Sequence, residues 1–123
     1  CGSSLIHGDI ALTAAHCGPR PDGGRIQMGA VERGSDSDGS IYVNVRQLVE
    51  HPNFEDITEE YDYMILKLEG WVQKEYVKLN MDNNYPPLSA AVDAIGFGAT
   101  IEDGPQSNVL LETQVVHISN ALC

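Results

Sequence analysis

His16 stands directly beside Cys17 in the stretch TAAHC, residues 13–17, and Cys1 lies upstream in CGSS. Three chemistries bring these letters together: a metal site, a redox thiol, or a catalytic base next to a structural disulfide. The three cysteines form no C-x-x-C motif. The four histidines, His7, His16, His51 and His117, are far apart, with no two at i, i+4. Spacing therefore lends no support to a metal centre or a redox motif, and an odd cysteine count leaves one thiol over after any pairing. Among 18 acidic residues, Asp62 has a distinctive position, because it directly precedes the apolar run YMILKL. An acid at the mouth of a buried strand is desolvated and aimed, whereas Glu55, Asp56, Glu59 and Glu60 lie in the polar loop before it.

The elements that must position these residues read as strands. SSLIH and DIALT are short apolar runs separated by Gly8-Asp9, the pattern of a hairpin. RIQMG is a further short strand, after the turn-rich GPRPDGG at 18–24. IYVNVRQLVEH alternates, with Ile41, Val43 and Val45 on one face, and MILKL at 64–68 has the character of a buried strand. LNMDNNYPPLS, residues 79–89, reads as a connection. VDAIGFGAT enters a glycine-rich turn, and NVLLETQVVHIS is one more strand. No sustained helical stripe or internal repeat is present, so short strands between Gly/Pro turns predict an all-β barrel or sandwich.

Composition sets the outer limits. A chain of 123 residues with 42% hydrophobic content supports one domain with a modest core. No apolar run approaches the ~20 residues that span a bilayer. Neither Cys1 nor Cys123 looks like a natural terminus, and no initiating Met or targeting signal is present, so a fragment is expected. A net charge of −11 argues against nucleic-acid binding; such a surface can attract cationic peptides, but the default reading is that it keeps the protein soluble.

Taken together, four stretches in order resemble the trypsin-like (chymotrypsin-fold) serine proteases. CGSSLI…IALTAAHC is similar to that family's histidine region, and HPNFEDITEEYDYMILKL to its aspartate region. AIGFGAT is similar to the glycine-aromatic-glycine turn of the second barrel, and SNALC to a strand end carrying a disulfide cysteine. Phe97 stands where the family usually has tryptophan and Ser3 where it often has glycine, and IALTAAHC lacks the common tryptophan before its aliphatic residues. The resemblance implies two six-stranded β-barrels with a cleft between them. Residues 1–82 would supply most of the first barrel, and 83–123 the connection and the opening strands of the second.

The resemblance also implies roles. A serine hydroxyl needs a base to take its proton, and a buried carboxylate orients that base in the Ser-His-Asp scheme. His16 is the implied general base and Asp62 its orienter, with Tyr61 and Tyr63 flanking. Cys1 and Cys17 are implied to form a disulfide that fixes the turn bearing His16, and Cys123 is left to a partner elsewhere. Ser35, Ser89 and Ser119 lie in ordinary contexts, so the nucleophile is expected beyond Cys123 and the chain alone is expected to be inactive. The implied whole is a secreted, monomeric serine endopeptidase that cleaves proteins or peptides, with no cofactor, nucleic acid or membrane partner. The alternative is a non-catalytic protease homologue acting as a binding or regulatory protein. The Glu32–Asp38 loop falls where some relatives bind structural calcium; Glu32, Asp36 and Asp38 are hard oxygen ligands, but the default reading is a solvated acidic loop. His7, His51 and His117 are read as structural.

Overall fold

The computed structural model describes residues 1–18, 24–119 and 121–122. Its strands are β1 (Ser4–His7), β2 (Ile10–Thr13), β3 (Arg25–Met28), β4 (Ile41–Glu50), β5 (Met64–Leu68), β6 (Ala91–Gly96) and β7 (Leu111–Val116). The only helical element among the described residues is a 3-10 turn, Ala15–Cys17. The chain is all-β, as its turn-punctuated apolar runs predict. Among the described residues, no helix is long and apolar enough to cross a membrane.

Two compact units are present, one of Cys1–Met28 with Ile41–Leu79, the other of Gly29–Ser40 with Asn80–Cys123. In the first, five antiparallel strands are ordered β1-β2-β5-β4-β3. Ala11, Ala15, Val45, Met64, Leu66, Leu68 and Val72 form its core, with Leu5, Ile26, Leu48 and Phe54 packed around them. In β5 the burial alternates strictly, Met64, Leu66 and Leu68 pointing inward, as the pleat requires.

β4 departs from simple alternation. Val43 and Val45 turn inward as expected, while Ile41 is exposed. The pairing with β5 then slips between Val45 and Gln47, so Leu48 rather than Gln47 or Val49 faces inward. An extra residue in one strand switches its faces, and the apolar pattern Val45-x-x-Leu48 is the only trace of it in sequence. β1 is an edge strand, but its outer side is not bare: Val72 N–H donates to Gly8 O (2.6 Å) and Val77 N–H to Leu5 O (2.9 Å). Gly8 is required there, because any Cβ would run into the Trp71 indole.

The second unit pairs β6 with β7 in register from Ala91↔Val116 to Gly96↔Leu111. Residues 29–40 belong to this unit. Leu110 N–H donates to Val31 O (2.8 Å), Arg33 N–H to Asn108 O (2.8 Å), and the Arg33 guanidinium donates to Gln106 Oε1 and Asn108 Oδ1.

Candidate active site

The register between β2 and β5 decides where the site residues meet. Thr13, the last residue of β2, pairs with Met64, the first of β5. His16 lies three residues beyond one end of that rung and Asp62 two residues before the other, so both emerge at the same edge of the sheet. Ala14 and the buried Ala15 let the chain turn tightly after β2, and the turn closes with Gly18 N–H donating to Ala15 O (2.9 Å). Gly18 has φ +64°, a left-handed conformation that glycine adopts without steric cost.

His16 and Asp62 make two hydrogen bonds. His16 Nδ1 lies 2.7 Å from Asp62 Oδ2, and the His16 backbone N–H donates to Asp62 Oδ1 (2.8 Å). The second bond fixes the carboxylate against the main chain that carries the ring, so the pair is aligned as well as close. A carboxylate only accepts, so it places the proton of neutral His16 on Nδ1 and leaves the Nε2 lone pair free. The hydrogen bond from Asp62, followed by its negative charge, raises the His16 pKa above 6.5, with Glu59 adding in the same direction. Asp62 is held below the usual carboxylate range by the His16 side chain first and the His16 backbone N–H second. The His16 side chain is 50% exposed and that of Asp62 22%. The imidazole is thus reachable from solvent while its carboxylate partner is more shielded.

A disulfide joins Cys1 to Cys17 with Cα atoms 6.1 Å apart. It anchors the residue after His16, and Thr13 Oγ1 donates to Gly2 O (2.7 Å) on the same tether. The two cysteines and His16 lie close enough to share an ion, but disulfide sulfurs are not thiolate ligands. His16, Glu59 and Asp62 form another close group, in which the Asp62 oxygens and His16 Nδ1 already satisfy one another. In the acidic loop, Asp38 Oδ2 accepts from the N–H groups of Val31 (2.9 Å) and Glu32 (3.1 Å), and Oδ1 from that of Ser40 (3.0 Å). The Ser40 side chain first, and then those backbone N–H groups, hold the Asp38 pKa far below the ordinary carboxylate value. Cys123 lies outside the described residues.

One further residue is gathered here. His51 stacks on Tyr61 with centroids 4.9 Å apart and planes 9° from parallel, and meets Tyr63 edge-on at 4.9 Å. Its signal in sequence was the HPNF stretch after β4. Glu50, the last residue of β4, pairs with Met64, which brings the residue after the strand opposite Tyr63.

The sequence matches the Trypsin family model across residues 1–123. The chain belongs to the trypsin family. Its five-stranded sheet is accordingly part of a chymotrypsin-like barrel. Venom serine protease Bi-VSP of Bombus ignitus is 32% identical over 137 residues, covering all of this chain and 37% of that protein. Trypsin-1 of Astacus astacus is 27% identical over 137 residues, covering all of this chain and 55% of that protein. Trypsin theta of Drosophila melanogaster is 34% identical over 105 residues, covering 80% of this chain and 38% of that protein. This trypsin-family chain thus spans 37% to 55% of the length of these relatives.

Proposed function

We propose that this chain is the histidine- and aspartate-bearing part of a secreted serine endopeptidase. The observation that carries the reading is the double hydrogen bond from His16 to Asp62, at 2.7 and 2.8 Å. In the proposed reaction, His16 Nε2 takes the proton of a serine hydroxyl as the oxygen attacks a peptide carbonyl, then returns it to the leaving amine. Asp62 holds the tautomer that leaves Nε2 free and stabilises the imidazolium formed during attack. The serine and the N–H groups that stabilise the oxyanion belong to polypeptide beyond Cys123. Coverage of at most 55% of the relatives named above supports placing them there.

Extracellular location is supported by the Cys1–Cys17 disulfide, which persists in oxidising compartments, and by a relative named as a venom protease. Protein or peptide substrates follow from the reaction, and a monomer suffices for it. The mechanism needs no cofactor. We read the Glu32–Asp38 loop as a hydrogen-bonded turn rather than a calcium site, because backbone N–H groups already occupy both Asp38 oxygens.

A fluorophosphonate probe, which phosphonylates only an activated serine, tests the proposal on the full-length protein. Covalent labelling of one serine is expected, and His16→Ala is expected to abolish it. Absence of labelling in the folded protein would place it instead among non-catalytic homologues that bind without cleaving.

A further inference from the structure

Asp62 projects from backbone that has little local reason to hold its shape. Tyr61 sits at φ +56°, a left-handed conformation that is costly for a bulky residue. Asp62 itself is the centre of a three-residue turn closed by Tyr63 N–H donating to Tyr61 O (2.8 Å). Both tyrosines are about half exposed, at 49% and 48%. The hydrogen bonds from His16 hold the carboxylate itself, but burial of the flanking side chains is too slight to hold the strained turn beneath it, which needs a restraint of its own.

We infer that His51 is the positioning residue for Asp62, its ring clamping Tyr61 and Tyr63 on either side of the carboxylate-bearing turn. The inference rests on reading His16 and Asp62 as the working pair. His51 is itself well anchored. It follows β4 directly, its N–H donates to Tyr63 O (3.1 Å), and its carbonyl accepts from Phe54 N–H (3.0 Å). Phe54 in turn packs against the core. His51 Nδ1 accepts from Asn53 N–H (3.3 Å), which sets the orientation of the ring.

From that anchored position the ring presents a face to Tyr61 and makes an edge contact with Tyr63, the two geometries aromatic pairs prefer. Moving Tyr61 out of its left-handed conformation would unstack it from His51. Moving Tyr63 would break the edge contact and the bond to its carbonyl together. The clamp thus makes the strained turn the favoured one, and Asp62 stays aimed at His16. His51 acts through Asp62 and has no direct part in proton transfer.

Full-length protein carrying His51→Ala, His51→Phe or Tyr61→Asn tests this by titrating the His16 ring by NMR and measuring peptide turnover. His51→Ala is expected to bring the His16 pKa back toward 6.5. It should also lower kcat about tenfold while leaving KM within about twofold, the signature of a misaimed catalytic group. His51→Phe keeps a flat aromatic ring and should restore most of both. Tyr61→Asn removes the stacking partner while tolerating the left-handed backbone, and should act in the same direction as His51→Ala. It also decides the matter if His51→Ala does not fold. An unchanged His16 pKa in a folded His51→Ala or Tyr61→Asn protein would overturn the inference, as would His51→Phe behaving like His51→Ala. The titration needs no turnover, so its outcome is separate from whether the protein is a protease.

Discussion

Among its described residues, the first unit holds two histidine–aspartate pairs with the same side-chain separation. His7 Nδ1 lies 2.7 Å from Asp9 Oδ1, and His16 Nδ1 lies 2.7 Å from Asp62 Oδ2. Both imidazoles have side chains 50% exposed. The difference lies in what surrounds each pair. Asp9 is two residues from its histidine across a hairpin turn and is 38% exposed, so the contact is a local one. Asp62 comes from 46 residues away, is 22% exposed, and also accepts the backbone N–H of His16. The His7 ring meets Trp71 edge-on at 5.0 Å and Tyr76 at 6.0 Å, contacts that occupy it in packing. A short distance does not make a catalytic pair; a carboxylate held by main chain beside a tethered, accessible ring can.

The comparison is sharpened most strongly by removing each imidazole. In full-length protein, His16→Ala should lower peptide hydrolysis by about four to six orders of magnitude, while His7→Ala changes it by about threefold or less. Comparable losses in the two variants would mean that the two pairs do not differ in function.

The next largest contrast comes from the acids. Asp62→Asn should cost about four orders of magnitude in kcat, by releasing the wrong tautomer, and Asp9→Asn should leave kcat within about threefold. The pH profile carries the same information. The folded pKa of His16 lies above 6.5, so protonated His16 stabilises the fold below that pH, and the contribution is lost as pH rises through the folded value. Catalysis needs the neutral ring, so hydrolysis should rise over that same window, with its midpoint above 6.5. Residual activity of Asp62→Asn should rise at lower pH than wild type. The depressed pKa of Asp62 stabilises the fold above 3.8 and ceases to as pH falls through its folded value.

The smallest expected effect is on stability alone. Replacing both Cys1 and Cys17 by serine removes a link across 16 positions and should cost about 3 kcal/mol in denaturant unfolding. A change much below 1 kcal/mol would mean that the tether matters little to the turn bearing His16.

Much of this arrangement was legible in sequence because it depends on chain order and pattern. TAAHC and YDYMILKL mark the ends of two strands, and strand ends are where an antiparallel sheet brings distant residues together. Each apolar run that reads as a strand forms one. What pattern could not reveal was register. The slip between Val45 and Gln47 adds one residue to β4, and the role of His51 depends on Glu50 meeting Met64. The HPNF stretch marks where His51 lies, but not its partners, which are tyrosines on the approach to the neighbouring strand. The second unit holds pairings of the same kind: the Glu32–Asp38 stretch reads as a solvated acidic loop, and Arg33 within it binds two residues more than 70 positions away. Such pairings leave no periodicity to read.

The hydrogen bonds from Val72 and Val77 onto β1 have a consequence for behaviour in concentrated solution. An uncovered outer strand is a template on which another chain can add itself, and sheets that grow this way end as fibrils. Here the segment after β5 occupies that template, and the His7 ring against Trp71 and Tyr76 helps keep it in place. The pair at His7 thereby helps close one edge of the unit that carries His16 to added strands.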